Sequence, residues 1–271
     1  MAGEMRLTSG HLATKLQGEE AEEQQRKWRG ITCGLVRLQP HGWLYPADYL
    51  LFADKIYDFK FESDDLLVMT WPKCGTTWMQ EITWTMRNNP DINNPEQNKA
   101  INLRIPFMEC DMFLRSELLP PPDNTTLASK EFQRLCPGRD PADGFFLQLS
   151  EGISQPRTFK THLPFSVFDP SLIDKSKVIY LARHPKDVVV SYYHHVRLFK
   201  SMSYSGSFDE FCESFINDEL VYGPYWLHMK EAWEKRDHEN LLFMYYEDLK
   251  SNPILGLEKL NAFLGTGLST E

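Results

Sequence analysis

Three short apolar runs stand out along the chain: Leu66-Leu67-Val68-Met69, Val178-Ile179-Tyr180-Leu181-Ala182 and Leu241-Leu242-Phe243-Met244-Tyr245-Tyr246. Each has the length and composition of a buried strand. A fourth strand is predicted near residue 157, in a segment bracketed by Pro156 and Pro164. Helical spacing fills the intervals. Met79, Ile82 and Met86 recur on one face after Gly75, and Asn88-Asn89-Pro90 is a stop signal. Pro185 opens a helix whose inner face is Val188, Val189, Tyr192 and Val196. Two amphipathic helices are predicted over residues 208–217 and 222–233. A last one follows Asn252-Pro253, with Leu257, Leu260 and Leu264 inward. Strands alternating with helices predict an α/β fold: a central parallel sheet flanked by helices on both faces.

The flanking segments lack such periodicity. Residues 1–30 are polar and charged, densest from Gln17 to Arg29, and read as a flexible tail ahead of a single domain over 31–271. Trp43 to Phe52 is aromatic and aliphatic, an entry segment packed on the core. Residues 89–156 are long and irregular, with short helices expected near 107–114 and 129–135. Loops of that length are commonly functional, so this one reads as a lid or pocket wall, its proline-rich Leu119–Asn124 part as surface.

Composition narrows the partners. The 271 residues carry a net charge of −9, which argues against broad nucleic-acid binding but leaves room for a local anion site. Five cysteines without close pairing suggest reduced thiols and a cytoplasmic location. No run is apolar and long enough to span a membrane, and the N-terminus has no apolar signal core.

The candidate chemistry lies at the predicted strand ends. After Met69 come Thr70-Trp71-Pro72-Lys73-Cys74-Gly75-Thr76-Thr77-Trp78. A strand, a tight turn and a helix N-terminus offer free amides, a favourable dipole, two hydroxyls and one ammonium to an anion. The order is not that of a Walker A loop, because Lys73 precedes the glycine. Lys160 and His162, two apart on a strand, share a face and place a cation beside a titratable base. Arg183, at the end of the third strand, and Ser191, two turns into the next helix, could grip one phosphate. The histidines and cysteines match no zinc pattern, so no metal is expected.

Five segments, in order, resemble signatures of the cytosolic sulfotransferases. They are residues 70–78; Ile105-Pro106-Phe107-Met108-Glu109; Lys160-Thr161-His162-Leu163-Pro164; Ala182-Arg183-His184-Pro185-Lys186-Asp187-Val188 through Ser191-Tyr192-Tyr193; and Tyr246-Glu247-Asp248-Leu249-Lys250. The resemblance implies a P-loop-like nucleotide-binding architecture. It also implies sulfuryl transfer from 3′-phosphoadenosine 5′-phosphosulfate (PAPS) to a hydroxyl or amine of a small acceptor, phenolic or lipophilic, leaving 3′-phosphoadenosine 5′-phosphate (PAP). Lys73, Cys74, Gly75, Thr76 and Thr77 would hold the phosphosulfate. Trp78 would stack on adenine with Tyr246 nearby, and Arg183 and Ser191 would bind the 3′-phosphate. His162 would be the base, Lys160 and Lys73 would stabilise charge, and Phe107 would line the acceptor pocket. Cys74 departs from the family's serine, and at a helix N-terminus near Lys73 a depressed thiol pKa is expected. The family's C-terminal Arg-Lys-Gly clamp and dimerisation stretch have no match in these residues, so weakened cofactor binding is expected, and a homodimer is left open without the family's dimerisation stretch. A shortened, weakly active or inactive binding form and a nucleotide kinase are the competing readings.

Overall fold

Leu66–Met69 has no exposed face, and its position explains why. In the computed structural model, which describes residues 4–114 and 125–269, this strand sits inside a parallel sheet. The strands are β1 (Met5–Arg6), β2 (Leu12–Lys15), β3 (Leu35–Gln39), β4 (Trp43–Pro46), β5 (Leu66–Met69), β6 (Thr158–Thr161), β7 (Lys177–Ala182) and β8 (Leu241–Tyr245). The parallel sheet runs β6-β5-β7-β8, with Leu66 opposite both Thr158 and Lys177, and Val178 opposite Leu241. β1 to β4 form a separate antiparallel sheet in chain order.

The α-helices are α1 (Gly18–Lys27), α2 (Ala53–Tyr57), α3 (Thr76–Asn88), α4 (Ile101–Arg104), α5 (Leu127–Leu135), α6 (Phe145–Gly152), α7 (Leu172–Lys175), α8 (Pro185–Leu198), α9 (Phe208–Ile216), α10 (Tyr225–Glu234), α11 (Tyr246–Ser251) and α12 (Pro253–Leu264). Alternation along the parallel strands assigns them to the two faces of the sheet. Leu67, Met69, Val178 and Tyr180 point to a large core shared with Val188, Tyr192 and Phe211 of α8 and α9. Leu66, Val68, Ile179 and Leu181 point the other way, to Met79 and Met86 of α3 and to Leu249 and Leu260. The expected α/β fold with helices on both faces is therefore present.

Three expectations are corrected. Residues 4–30 are ordered: they form β1, β2 and α1, which end on Trp28. Trp28 is 1% exposed, donates from its indole to Gln24 Oε1 at 3.0 Å and packs edge-on against Tyr204 at 4.9 Å. One buried indole orders a helix that has almost no apolar face of its own. α10 begins at Tyr225, not Tyr222, because Pro224 takes the cap position with extended backbone and the helix starts only after it. In α12 Leu260 is buried but Leu257 is exposed; Gly256 instead lies directly against the Leu249 side chain. The short helices expected in the long irregular segment appear as a 3₁₀ turn at Cys110–Phe113 and as α5. The proline-rich Leu119–Asn124 stretch, and with it the centre of the expected lid, lies outside the described residues.

Candidate active site

The four parallel strands end on one side of the sheet, and each delivers one piece of the site. β5 runs through Thr70 into the turn before α3. Lys73 there has φ +69° and Gly75 has φ +100°, so the chain reverses sharply to aim the α3 N-terminus back over the strand ends. Gly75 is required twice over. Its backbone is left-handed, and a Cβ would stand 2.6 Å from the Tyr246 ring. Thr70 and Thr76 hydroxyls, 2.6 Å apart, pin the two sides of the turn together.

β7 ends in Arg183, whose Nη1 donates to the Lys73 carbonyl at 2.9 Å while the guanidinium lies 4.6 Å above the Tyr246 ring. Arg183 Nε is buried with no partner among the described residues. Trp78, partly exposed on α3, faces Tyr246 edge-on at 5.9 Å. Ser191 on α8 lines the same space.

β6 supplies Lys160 and His162. Lys160 Nζ sits 4.0 Å over the Phe107 ring, and Phe107 packs edge-on against His162 at 5.2 Å. His162 Nδ1 lies 2.9 Å from the Thr70 carbonyl. A carbonyl only accepts, so Nδ1 carries the proton and Nε2 keeps its lone pair. Burial, then Lys160, hold the imidazole well below its ordinary pKa, so it is neutral near pH 7. Burial also lowers the Lys160 and Lys73 ammonium groups, with Arg183 adding to the effect on Lys73.

These groups surround one cavity of about 810 Å³. Lys73, Gly75, Thr76, Thr77, Trp78, Phe107, Lys160, His162, Arg183, Ser191 and Tyr246 all line it. Cys74 does not: its side chain is buried on the far side of the turn, where burial pushes the thiol pKa up. The expected depressed thiol is thus overturned, because desolvation outweighs the nearby Arg183 charge. Among the described lining residues are Lys73, Lys160, Arg183 and Lys200 but no carboxylate. No group of three or more His, Cys, Asp or Glu among the described residues is placed to hold a metal ion.

The structure adds residues that sequence reasoning passed over. His195 Nδ1 stands 3.3 Å from Lys73 Nζ, and burial followed by Lys73 and Lys160 lowers its pKa to about 4. Its signal was its spacing: it lies four residues after Ser191 and so on the same helix face. Tyr222, Phe113 and Gln80 also line the cavity, and Gln80 Nε2 is buried without a partner among the described residues. Nothing in their sequence context marks them.

Residues 63–271 match the family model described as a sulfotransferase domain, more than three quarters of the chain. The chain belongs to the sulfotransferase family. Among sulfotransferase relatives, rat sulfotransferase 1A1 is 37% identical over 224 residues, covering 81% of this chain and 67% of that protein. Bovine sulfotransferase 1E1 is 34% identical over 217 residues, covering 80% and 64%. The chain therefore spans about two thirds of the length of these relatives. A crystal structure of retinol dehydratase in complex with retinol and PAP superposes with a TM-score of 0.80 at 30% identity, covering 96% of this chain and 77% of that one. Among the described residues no helix is long and apolar enough to cross a membrane.

Proposed function

We propose that this sulfotransferase-family chain moves a sulfuryl group from PAPS to an uncharged hydroxyl on a small apolar acceptor, with His162 as general base. The observation that carries the reading is convergence. The α3 N-terminus, Lys73, Arg183, Ser191, Lys160 and a neutral His162 meet around a single cavity. The residues fit an anionic nucleotide: Arg183 Nε has no partner among the described residues, and Gly75 lets the turn pack directly against Tyr246. Retinol dehydratase carries PAP in its crystal structures, which supports the same ligand class here.

PAPS supplies a sulfuryl group already activated on a phosphate leaving group. The turn amides, Thr76 and Thr77 bind its 5′ end, Arg183 and Ser191 its 3′-phosphate, and Trp78 and Tyr246 flank the base. His162 Nε2 takes the acceptor proton as the acceptor oxygen bonds to sulfur and the bond from sulfur to the phosphate oxygen breaks. Lys160 offsets charge on the sulfuryl oxygens and Lys73 charge on the leaving oxygen, each such contact being worth about 2–4 kcal/mol of barrier by analogy with oxyanion donors.

The acceptor argument is electrostatic. A protonated amine would face Lys73, Lys160, Arg183 and Lys200 with no lining carboxylate among the described residues. A neutral alcohol or phenol meets Phe107, Phe113 and Tyr222 instead. The crystal structures of retinol dehydratase hold retinol and androsterone, both lipophilic alcohols. Incubation with ³⁵S-labelled PAPS and matched alcohols, phenols and amines tests the reading. Transfer to neutral hydroxyls, with amines much poorer, is expected. No transfer and no PAPS binding overturns it. PAPS binding without transfer favours a binding-only form, and phosphoryl transfer from ATP favours a kinase.

A further inference from the structure

The base of the reading above is itself held by groups with no part in the transfer. His162 follows the last residue of β6, and the two peptides that flank its Cα are each held. Its N–H donates to Glu109 Oε1 at 2.6 Å. Its carbonyl lies 3.0 Å from His228 Nε2. His228 projects from α10, is 0% exposed, and its other nitrogen, Nδ1, lies 2.8 Å from the Tyr180 hydroxyl on β7. The chemistry of the partners sets the tautomer. The His162 carbonyl only accepts, so His228 Nε2 carries the proton, and Nδ1 accepts from Tyr180. Burial keeps the His228 imidazole neutral, with its pKa lowered to about 4. Trp43 closes the remaining side of the ring, edge-on at 6.2 Å.

We propose that His228, fixed by Tyr180, is a positioning residue that sets the ring direction and tautomer of His162. The path runs from the middle of β7 through one hydroxyl and one imidazole to the peptide of the base. It ties the base to the strand that ends in Arg183. With the peptide plane held, the His162 ring reaches the Thr70 carbonyl through Nδ1–H, and the Nε2 lone pair is left for the acceptor. Without the His228 donor, the carbonyl of His162 is buried and unpaired. The peptide can then turn toward another donor and carry the ring with it. This proposal rests on the reading of His162 as the base, but its structural core does not depend on turnover.

The test uses ¹⁵N-histidine labelling of the full chain together with steady-state kinetics and PAPS titration. In the parent, His162 is expected as the Nδ1–H tautomer alone. His228→Leu should give a mixture of tautomers and lower kcat by about ten- to a hundredfold, the usual penalty of a misplaced catalytic group. PAPS affinity should stay within about twofold, since binding and chemistry separate. His228→Gln, which keeps an N–H donor, should recover most of kcat. If His228→Leu fails to fold, Tyr180→Phe decides. It removes one hydroxyl and should lower kcat at least about threefold with PAPS affinity unchanged. An unaltered His162 tautomer and an unaltered kcat in either folded variant overturn the proposal. Equal losses in the Leu and Gln variants overturn it too. A protein that transfers nothing, yet whose His162 tautomer follows His228, refutes the sulfuryl-transfer reading and leaves the positioning intact.

Discussion

His162 illustrates how a residue type becomes a reagent only through its surroundings. An exposed histidine is partly charged near neutral pH. Here burial and Lys160 keep the ring neutral, and the Thr70 carbonyl decides which nitrogen is free. His162→Ala should therefore lower kcat by about 10²–10⁴-fold, the range of general-base contributions. PAPS affinity should be preserved, because no role in cofactor binding falls to this side chain; parallel kinetics and calorimetric titration check both. Turnover near the parent level would remove His162 from the mechanism. That Lys73, Gly75, His162 and Arg183 follow strands or precede helices, and that Lys160 shares the β6 face with His162, was legible residue by residue. Their protonation was not. Cys74 shows why: the same local sequence that suggests a reactive thiol at a helix N-terminus gives a buried one, and the core that buries it includes residues far along the chain, Tyr180 and Tyr225 among them.

At the scale of elements, the sheet has a working end and a foundation. The working end is the row of carboxyl termini of β5 to β8. At the opposite end Arg157, before β6, forms a paired contact with Asp65, before β5, at 2.7 and 2.5 Å, with both side chains almost fully buried. Arg87, near the C-terminus of α3, donates to the Arg157 carbonyl at 2.8 Å and so locks the helix to the same corner. Removing Asp65 leaves Arg157 with only the exposed Glu62, 3.5 Å away, as a carboxylate partner among the described residues. Asp65→Ala should cost about 3–5 kcal/mol of stability. Chemical denaturation checks this, and PAPS binding by the fraction that stays folded should be unchanged. The parallel strands and their helices were legible because apolar runs and helical spacing alternate cleanly. β1 to β4 were not: they are short, and their pairing partners could not be read from a local pattern. α1 was also obscured, because the buried indole that anchors it, Trp28, lies just past its end.

For the whole molecule, the buried histidines set a direction with pH. His11, His195 and His228 are each lowered to about 4, and His162 is lowered well below its ordinary value, in every case first by burial. The unfolded chain protonates them near pH 6.5, while the folded protein does not. Their stabilising effect is complete above that value and is lost as pH falls toward their folded values. Each of the fully buried pair, His162 and His228, contributes a slope of up to ~1.4 kcal/mol per pH unit. Glu109, Asp111, Asp218 and Glu231, raised by burial, act in the opposite sense and reduce the slope, but of these only Glu109, at about 7, and Asp111, at about 6, are displaced far. The urea midpoint should therefore fall between pH 7 and pH 5; a flat or rising midpoint would contradict the assignment of neutral buried histidines. The charge pattern has a second reading. A chain of net charge −9 that gathers four cations and no carboxylate around the described part of one cavity concentrates its attraction for anions there.

The seat of Gly30 has a consequence of another kind. Its N–H donates to the Met202 carbonyl at 2.9 Å, and a Cβ on it would fall 2.4 Å from the Lys200 carbonyl. Phe199, Lys200, Ser201 and Met202 form part of the cavity rim. Gly30→Ala should displace that rim and raise the acceptor KM while leaving PAPS affinity nearly intact, a split that steady-state kinetics would reveal. The turn between α1 and β3 contributes nothing to the parallel sheet, yet through Gly30 it packs directly against the segment that edges the cavity. Acceptor preference can then change through substitutions that never touch an acceptor, as a door is re-hung by moving its frame.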